Sequence, residues 1–159
     1  MPVDVNGEAD LRAIVEAALA AQSAGRELPF TTVERATGRI VGSTRYMTIE
    51  PPHRRLEIGY TWLAPAWQRT ALNSEAKLLM LGHAFEQLGA IRVEFKTDAR
   101  NEPSRRALQG IGATFEGVFR NHMIVQGGRL RDSAYYSVTR DEWPSVRAHL
   151  AARVDRLAG

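Results

Sequence analysis

A chain of 159 residues that is 44% hydrophobic and 25% charged is long enough for one domain with a real core, and its composition is that of an ordinary globular protein. It has no cysteine, which excludes disulfides, thiolate metal ligands and a cysteine nucleophile; it has no apolar run of membrane-spanning length, and its polar opening, MPVDVNGEAD, lacks the regions of a leader, so a cytoplasmic protein is expected. The net charge of +3 is carried almost wholly by arginines scattered along the chain, Lys77 and Lys96 being the only lysines, so there is no basic block for nucleic acid to bind.

Residues 8–24 place Leu11, Ile14, Val15, Ala18 and Leu19 on one helical face before Gly25, which predicts a helix. Residues 28–34 and 39–49 read as strands around Arg35-Ala36-Thr37-Gly38, where Gly38 suits a left-handed turn position and predicts a hairpin. After Pro51-Pro52-His53, residues 56–63 alternate, with Ile58, Tyr60 and Trp62 in one phase and Glu57, Gly59 and Thr61 in the other; this strand is expected antiparallel to its predecessor. The pattern breaks at Ala64-Pro65. A helix follows over residues 73–88, with Leu78, Leu81, Phe85 and Leu88 as its buried stripe and Gly89 as its stop. Residues 91–97 form a strand with Val93 and Phe95 on one face. Asn101 caps a helix that has Pro103 in its first turn and ends at Gly110. Residues 114–125 and 130–138 pair about Gln126-Gly127-Gly128, and a last helix from near Asp141 carries Trp143, Val146, Leu150, Val154 and Leu157 on one face.

The order α, ββ, β, α, β, α, ββ, α predicts a single mixed α/β (α+β) domain over residues 1–159, without linker or repeat. Strand 56–63, helix 73–88 and strand 91–97 make one right-handed crossover, so these two strands are expected to be parallel. Pro65 and its loop are expected to wedge the strand ends apart and open a slot in the sheet. A strand, a short loop and a helix start make an anion site, because the first N–H groups of a helix lack internal partners and the helix dipole is positive there. A diphosphate fits such a place, and ligands of open α/β sheets bind past strand ends.

The same stretch, LEIGYTWLAPAWQRTALNSEAK, resembles the GNAT N-acetyltransferases, and within them the branch of the RimJ/RimL-type ribosomal-protein N-terminal acetyltransferases. The flanking text carries the likeness: LEIGYTWL before the loop, EAKLLMLGHAFEQLG after it, then NEPSRRALQGIGA and the closing FRNHMIVQGGRLRDSAYYSVTRDEW. The family's loop pattern, Gln/Arg-x-x-Gly-x-Gly/Ala, is met by Gln68-Arg69-Thr70-Ala71-Leu72-Asn73, with Ala71 in place of the first glycine and Asn73 in place of the last small residue. A Cβ at Ala71 restricts close approach of backbone to a diphosphate. Members of the branch usually carry one more strand and helix before the region matching Glu8. Set against that pattern the first strand is missing from this sequence: either the chain is trimmed or a partner subunit covers the exposed sheet edge, and a homodimer is expected.

The resemblance implies a mostly antiparallel sheet with one splayed parallel pair flanked by helices. It also implies acetyl-CoA as donor, a primary amine as acceptor and no metal. It assigns the pyrophosphate to main-chain N–H groups of Gln68, Arg69, Thr70, Ala71, Leu72 and Asn73, and the pantetheine arm to the backbone of Trp62 and Leu63. Asn101 is read either as a helix cap alone or as a cap that also faces the donor. Arg69 and Arg106 are read either as meeting phosphates or as solvated. An amine of pKa about 8 to 10.4 must lose a proton before it attacks a thioester. Glu57 is the first candidate to take it; its competing reading is a solvent-facing glutamate paired with Arg54 or Arg55. Ser104, one turn past Asn101, is the analogue of a proposed thiolate proton donor, with Tyr136 as the alternative or else a core tyrosine. No covalent intermediate is expected.

His53, His83, His122 and His149 lack metal-ligand spacing, and Gly110-x-Gly112 is a helix end rather than a dinucleotide fingerprint. Trp62, Trp67, Tyr135 and Tyr136 do not interleave with a basic cluster as a nucleic-acid platform would. The alternative to an enzyme is a catalytically silent acyl-CoA sensor or interaction domain, and an arginine-driven RNA binder ranks last. Ribosomal N-termini, other peptides, aminoglycosides and polyamines all stand as acceptors, and a bulkier donor such as succinyl-CoA stands beside acetyl-CoA.

Overall fold

The computed structural model describes residues 7–158; residues 1–6 of the polar opening, from which no leader is expected, lie outside them. The elements are α1 (Glu8–Ser23), β1 (Leu28–Glu34), β2 (Arg39–Glu50), β3 (Arg55–Leu63), α2 (Leu72–Gly82), β4 (Arg92–Asp98), α3 (Glu102–Gly110), β5 (Thr114–Ile124), β6 (Leu130–Thr139) and α4 (Trp143–Ala158). Among the described residues the six strands form one mixed sheet in the order β1-β2-β3-β4-β6-β5. Only β3 and β4 run parallel, as the crossover through α2 requires; the other neighbours are antiparallel. Gly38 (φ 69°) makes the β1–β2 turn in the left-handed region expected of it.

The period-2 alternation divides the sheet into two unlike faces. Leu56, Ile58, Val93, Phe95, Tyr136 and Val138 point one way and pack on Leu81 and Phe85 of the α2 segment and on Trp143, Val146 and Leu150 of α4. Arg55, Glu57, Arg92, Glu94, Lys96 and Tyr135 have the other phase and line a cavity on the opposite face. The apolar core and the charged chemistry thus share the same strands, back to back.

Three expectations are adjusted. The helix expected over residues 73–88 is α-helical only to Gly82 and widens into a π turn at His83–Gln87, closed by Leu88 N–H donating to His83 O at 3.0 Å. The extra residue per turn rotates the stripe, so Met80, Leu81, Ala84 and Phe85 are buried and Leu88 faces solvent. The last helix starts at Trp143, and Leu157 is exposed. On α1 only Ala18 and Ala21 are buried, while Leu11, Val15 and Leu19 stay exposed. No helix among the described residues is long and apolar enough to cross a membrane.

Candidate functional site

β3 and β4 pair only through residues 55–57 against 92–94. Beyond that point β3 continues along β2 to Leu63 and β4 along β6 to Asp98, so the two strands part and a slot opens between them. A bulge in the β2–β3 ladder between Ser43 and Arg45, with Tyr60 at φ 48°, adds twist to β3 just after the parting.

The loop past β3 is held by local bonds. Trp67 N–H donates to Ala64 O at 2.9 Å and Gln68 N–H to Pro65 O at 3.2 Å, closing a 3-10 turn. The Gln68 side chain donates to Leu63 O at 2.9 Å, and the Thr70 hydroxyl to Trp67 O at 2.8 Å. Trp67 ties the turn to the first hairpin: its indole N–H donates to Glu34 Oε1 at 2.7 Å, and the Arg39 guanidinium lies 5.1 Å from the centre of its ring. The left-handed residue is Arg69 (φ 63°), whereas Ala71 is helical (φ −62°), so the Cβ of Ala71 sits without strain. Among the described residues, no acceptor inside the chain meets the N–H groups of Arg69, Ala71 and Ser74, and Leu72 N–H makes only a long 3.4 Å contact with Thr70 Oγ1. Asn73 stands in the first turn with them. These amides, with the α2 dipole behind them, fit a diphosphate, although the Gln68 amide and the Leu63 carbonyl are already engaged.

Across the slot, α3 begins just past β4. Asn101 Oδ1 accepts from Ser104 N–H at 3.1 Å, which caps the helix and places half-buried Ser104 in its first turn. Arg106 is exposed, 4.0 Å from Glu102. Tyr136 lies on the core face, wholly buried, and its hydroxyl accepts from Arg105 Nε at 3.2 Å. Glu57 and Tyr136 therefore belong to opposite faces of the sheet and are not brought together.

Glu57 sits where the strands part. Its side chain is 3% exposed, in the wall of a cavity of about 330 Å³. Lys96 Nζ donates to Glu57 Oε2 at 3.0 Å from the far strand, and Thr48 Oγ1 lies 3.4 Å from the same oxygen. Arg54 and Arg55 are engaged elsewhere: Arg54 donates to Gly89 O, and Arg55 to Glu50 and Glu94. Burial pushes the Glu57 carboxyl above its ordinary value and the Lys96 ammonium pulls it back, with burial the stronger effect. Arg92 bridges Glu94 and Glu116, and its bonds hold Glu116 below the usual carboxylate range. The cavity thus holds a buried carboxylate whose proton affinity is raised, walled by charges already paired to one another. Among the described residues no group of three His, Asp or Glu side chains could hold a metal ion.

Lys96, Thr48 and Tyr135 line the cavity without having been singled out by motif. The signal for Lys96 is its phase, alternating with Val93 and Phe95. The other lysine, Lys77 of α2, lies away from this cavity, sealed under the sheet with its Nζ donating to Thr61 Oγ1 at 2.8 Å.

A family model described as an acetyltransferase (GNAT) domain matches residues 3–114. The uncharacterized N-acetyltransferase YoaA of Bacillus subtilis (strain 168) is 32% identical over 106 residues, which are 67% of this chain and 59% of that protein. The chain spans about three-fifths of the length of the curated relatives of this kind. Among solved structures, a GCN5-related N-acetyltransferase from Brucella melitensis is 33% identical with a TM-score of 0.85, covering 94% of this chain and 66% of that one. Mycobacterium smegmatis RimJ in complex with CoA-disulfide is 27% identical with a TM-score of 0.75, covering 91% of this chain and 68% of the other.

Proposed function

Because the chain belongs to the GNAT acetyltransferase family, in the branch that includes RimJ, we propose that it transfers the acetyl group of acetyl-CoA directly to a primary amine. The observation that carries this reading is the slot between β3 and β4, with unengaged amides at Arg69, Ala71 and Ser74 at one end and buried Glu57 at its root. Amides of residues 69–74 hold the diphosphate of the donor, Arg69 and Arg106 flank its phosphates, and main-chain groups of Trp62 orient the pantetheine arm. Asn101 fixes the start of α3 beside it. Glu57, its proton affinity raised by burial, takes the proton of the acceptor ammonium directly or through water. Ser104 is the first candidate to protonate the departing thiolate, since the Tyr136 side chain is wholly buried on the core face of the sheet, opposite Glu57.

The acceptor class to test first is a peptide N-terminus, which is what the name of the RimJ branch suggests. A homodimer in the cytoplasm completes the proposal; an edge strand at β1 beside an exposed apolar face on α1 supports the dimer.

The test is titration with acetyl-CoA followed by thiol release with peptides, polyamines and aminoglycosides. The chain has no cysteine, so every thiol detected comes from the donor. In the Glu57→Gln variant kcat is expected to fall by roughly 10²-fold or more, while the Kd for acetyl-CoA stays within about twofold. Tight donor binding without thiol release for any amine would leave a binding domain in place of an enzyme.

A further inference from the structure

We propose that Lys96 is a self-acetylation site, at which the protein transfers the acetyl group of its own bound donor to a resident lysine. This rests on the reading of the slot as an acetyl-CoA site. Among the described residues Lys96 carries the one amine in the cavity, and its Nζ lies 3.0 Å from Glu57 Oε2, the carboxylate assigned to deprotonate an acceptor. Glu57 closes the last paired position of β3, and Lys96 lies two residues past Glu94, the last paired residue of β4. Their ion pair therefore crosses the root of the slot. Opposite Lys96 the continued register would put Gly59. A Cβ built at Gly59 would come within 2.7 Å of Met47 Sδ and 3.3 Å of Glu57 Oε1, so glycine there lets Met47 and the Glu57 carboxylate close in against β3. The Lys96 side chain is 20% exposed, enough to be reached and too little to wander freely.

The chemistry is the chemistry proposed for an outside amine. Glu57 accepts a proton from the Lys96 ammonium. The freed lone pair attacks the thioester carbonyl, a C–N bond forms and the C–S bond breaks. The second N–H proton goes to the departing thiolate, so the products are N-acetyl-Lys96, free CoA thiol and protonated Glu57. Acetylation removes the charge that Lys96 offers Glu57 and leaves a buried carboxylate with Thr48 as its remaining partner. The modified chain is then a poorer catalyst, because Glu57 holds its proton more firmly. Any outside amine must displace Lys96 from Glu57, so a good acceptor protects the lysine and a poor one does not.

The chain supplies its own control, since its other lysine, Lys77, is sealed under the sheet. The experiment incubates the native protein with acetyl-CoA and no acceptor, then reads intact mass and maps peptides. One acetyl group on Lys96 and none on Lys77 is expected, at a rate independent of protein concentration and at least tenfold slower in Glu57→Gln. A good acceptor amine added in excess should slow it. Three results overturn the proposal: an unmodified Lys96 in protein that binds acetyl-CoA and acetylates an added amine; equal rates in native and Glu57→Gln chains; or equal labelling of both lysines, as a denatured chain would show. Failure to bind acetyl-CoA at all removes the underlying site reading as well, and the titration separates that case from the first.

Discussion

Lys77 buries an ammonium whose partners are hydroxyls. Its Nζ donates to Thr61 Oγ1 at 2.8 Å and lies 3.4 Å from Thr44 Oγ1, and among the described residues no carboxylate pairs with it. Burial alone lowers its pKa to about 7, against about 10.4 for an exposed lysine. Between those values the unfolded chain binds more protons than the folded one, so this residue's effect on stability improves as pH rises from about 7 to 10. Below pH 7 both states are protonated and the fold bears the full cost of the buried charge. Lys77→Met keeps the length of the side chain and removes the charge, and Thr44 and Thr61 still bond one another at 2.8 Å. Urea melts should show a gain of about 1–4 kcal/mol at pH 6 that shrinks toward pH 10. A variant less stable than the parent at pH 6 would mean that the hydroxyl bonds outweigh desolvation.

At the scale of elements, the loop proposed to hold the donor is placed by the first hairpin as much as by α2. Trp67 joins the 3-10 turn to Glu34 at the end of β1 and lies under Arg39 at the start of β2. Trp67→Phe keeps the ring and loses the indole donor. It should raise the Kd for acetyl-CoA by about three- to tenfold with kcat nearly unchanged, for a stability cost of about 1 kcal/mol. Titration, a turnover assay and a thermal melt read the three quantities; an unaltered Kd would show that the hairpin is not what positions the loop. The crossover and the parting of β3 from β4 were legible because Pro65 follows a strand that a helix must return to the sheet. The Trp67–Glu34 bond was not legible, since 33 residues of chain separate partners that only the fold brings together. Lys96 was half legible: its phase against Val93 and Phe95 puts it on the charged face, but its pairing with Glu57 depends on strand register, which periodicity leaves unspecified. The π turn at residues 83–87 escaped because Leu88 extends the apolar period that Leu81 and Phe85 begin.

At the scale of the whole molecule, β1 and β5 are the edges of the sheet, and α1 lies against β1 with an apolar ridge outward. Leu11, Val15 and Leu19 follow one another at four-residue spacing, 36%, 48% and 52% exposed, so they form one stripe along the helix. Among the described residues no strand pairs with the outer side of β1, and an apolar stripe beside such an edge has two costs in water, exposed hydrocarbon and open main-chain groups, both of which a second copy related by a twofold axis would remove. The proposed catalytic and donor-binding residues all fall between Glu57 and Tyr136 of one chain, and none is on α1. Dimer formation and donor binding are therefore expected to separate. Sedimentation of the parent protein over a range of concentrations should show twice the chain mass. A Val15→Glu, Leu19→Glu double variant should sediment at the chain mass and bind acetyl-CoA within about twofold of the parent, because two carboxylates per chain would meet across the axis. A double variant that still sediments as a dimer would move the interface to another face, and the apolar residues exposed along β5, among them Phe119 and Ile124, would be the next to carry charge.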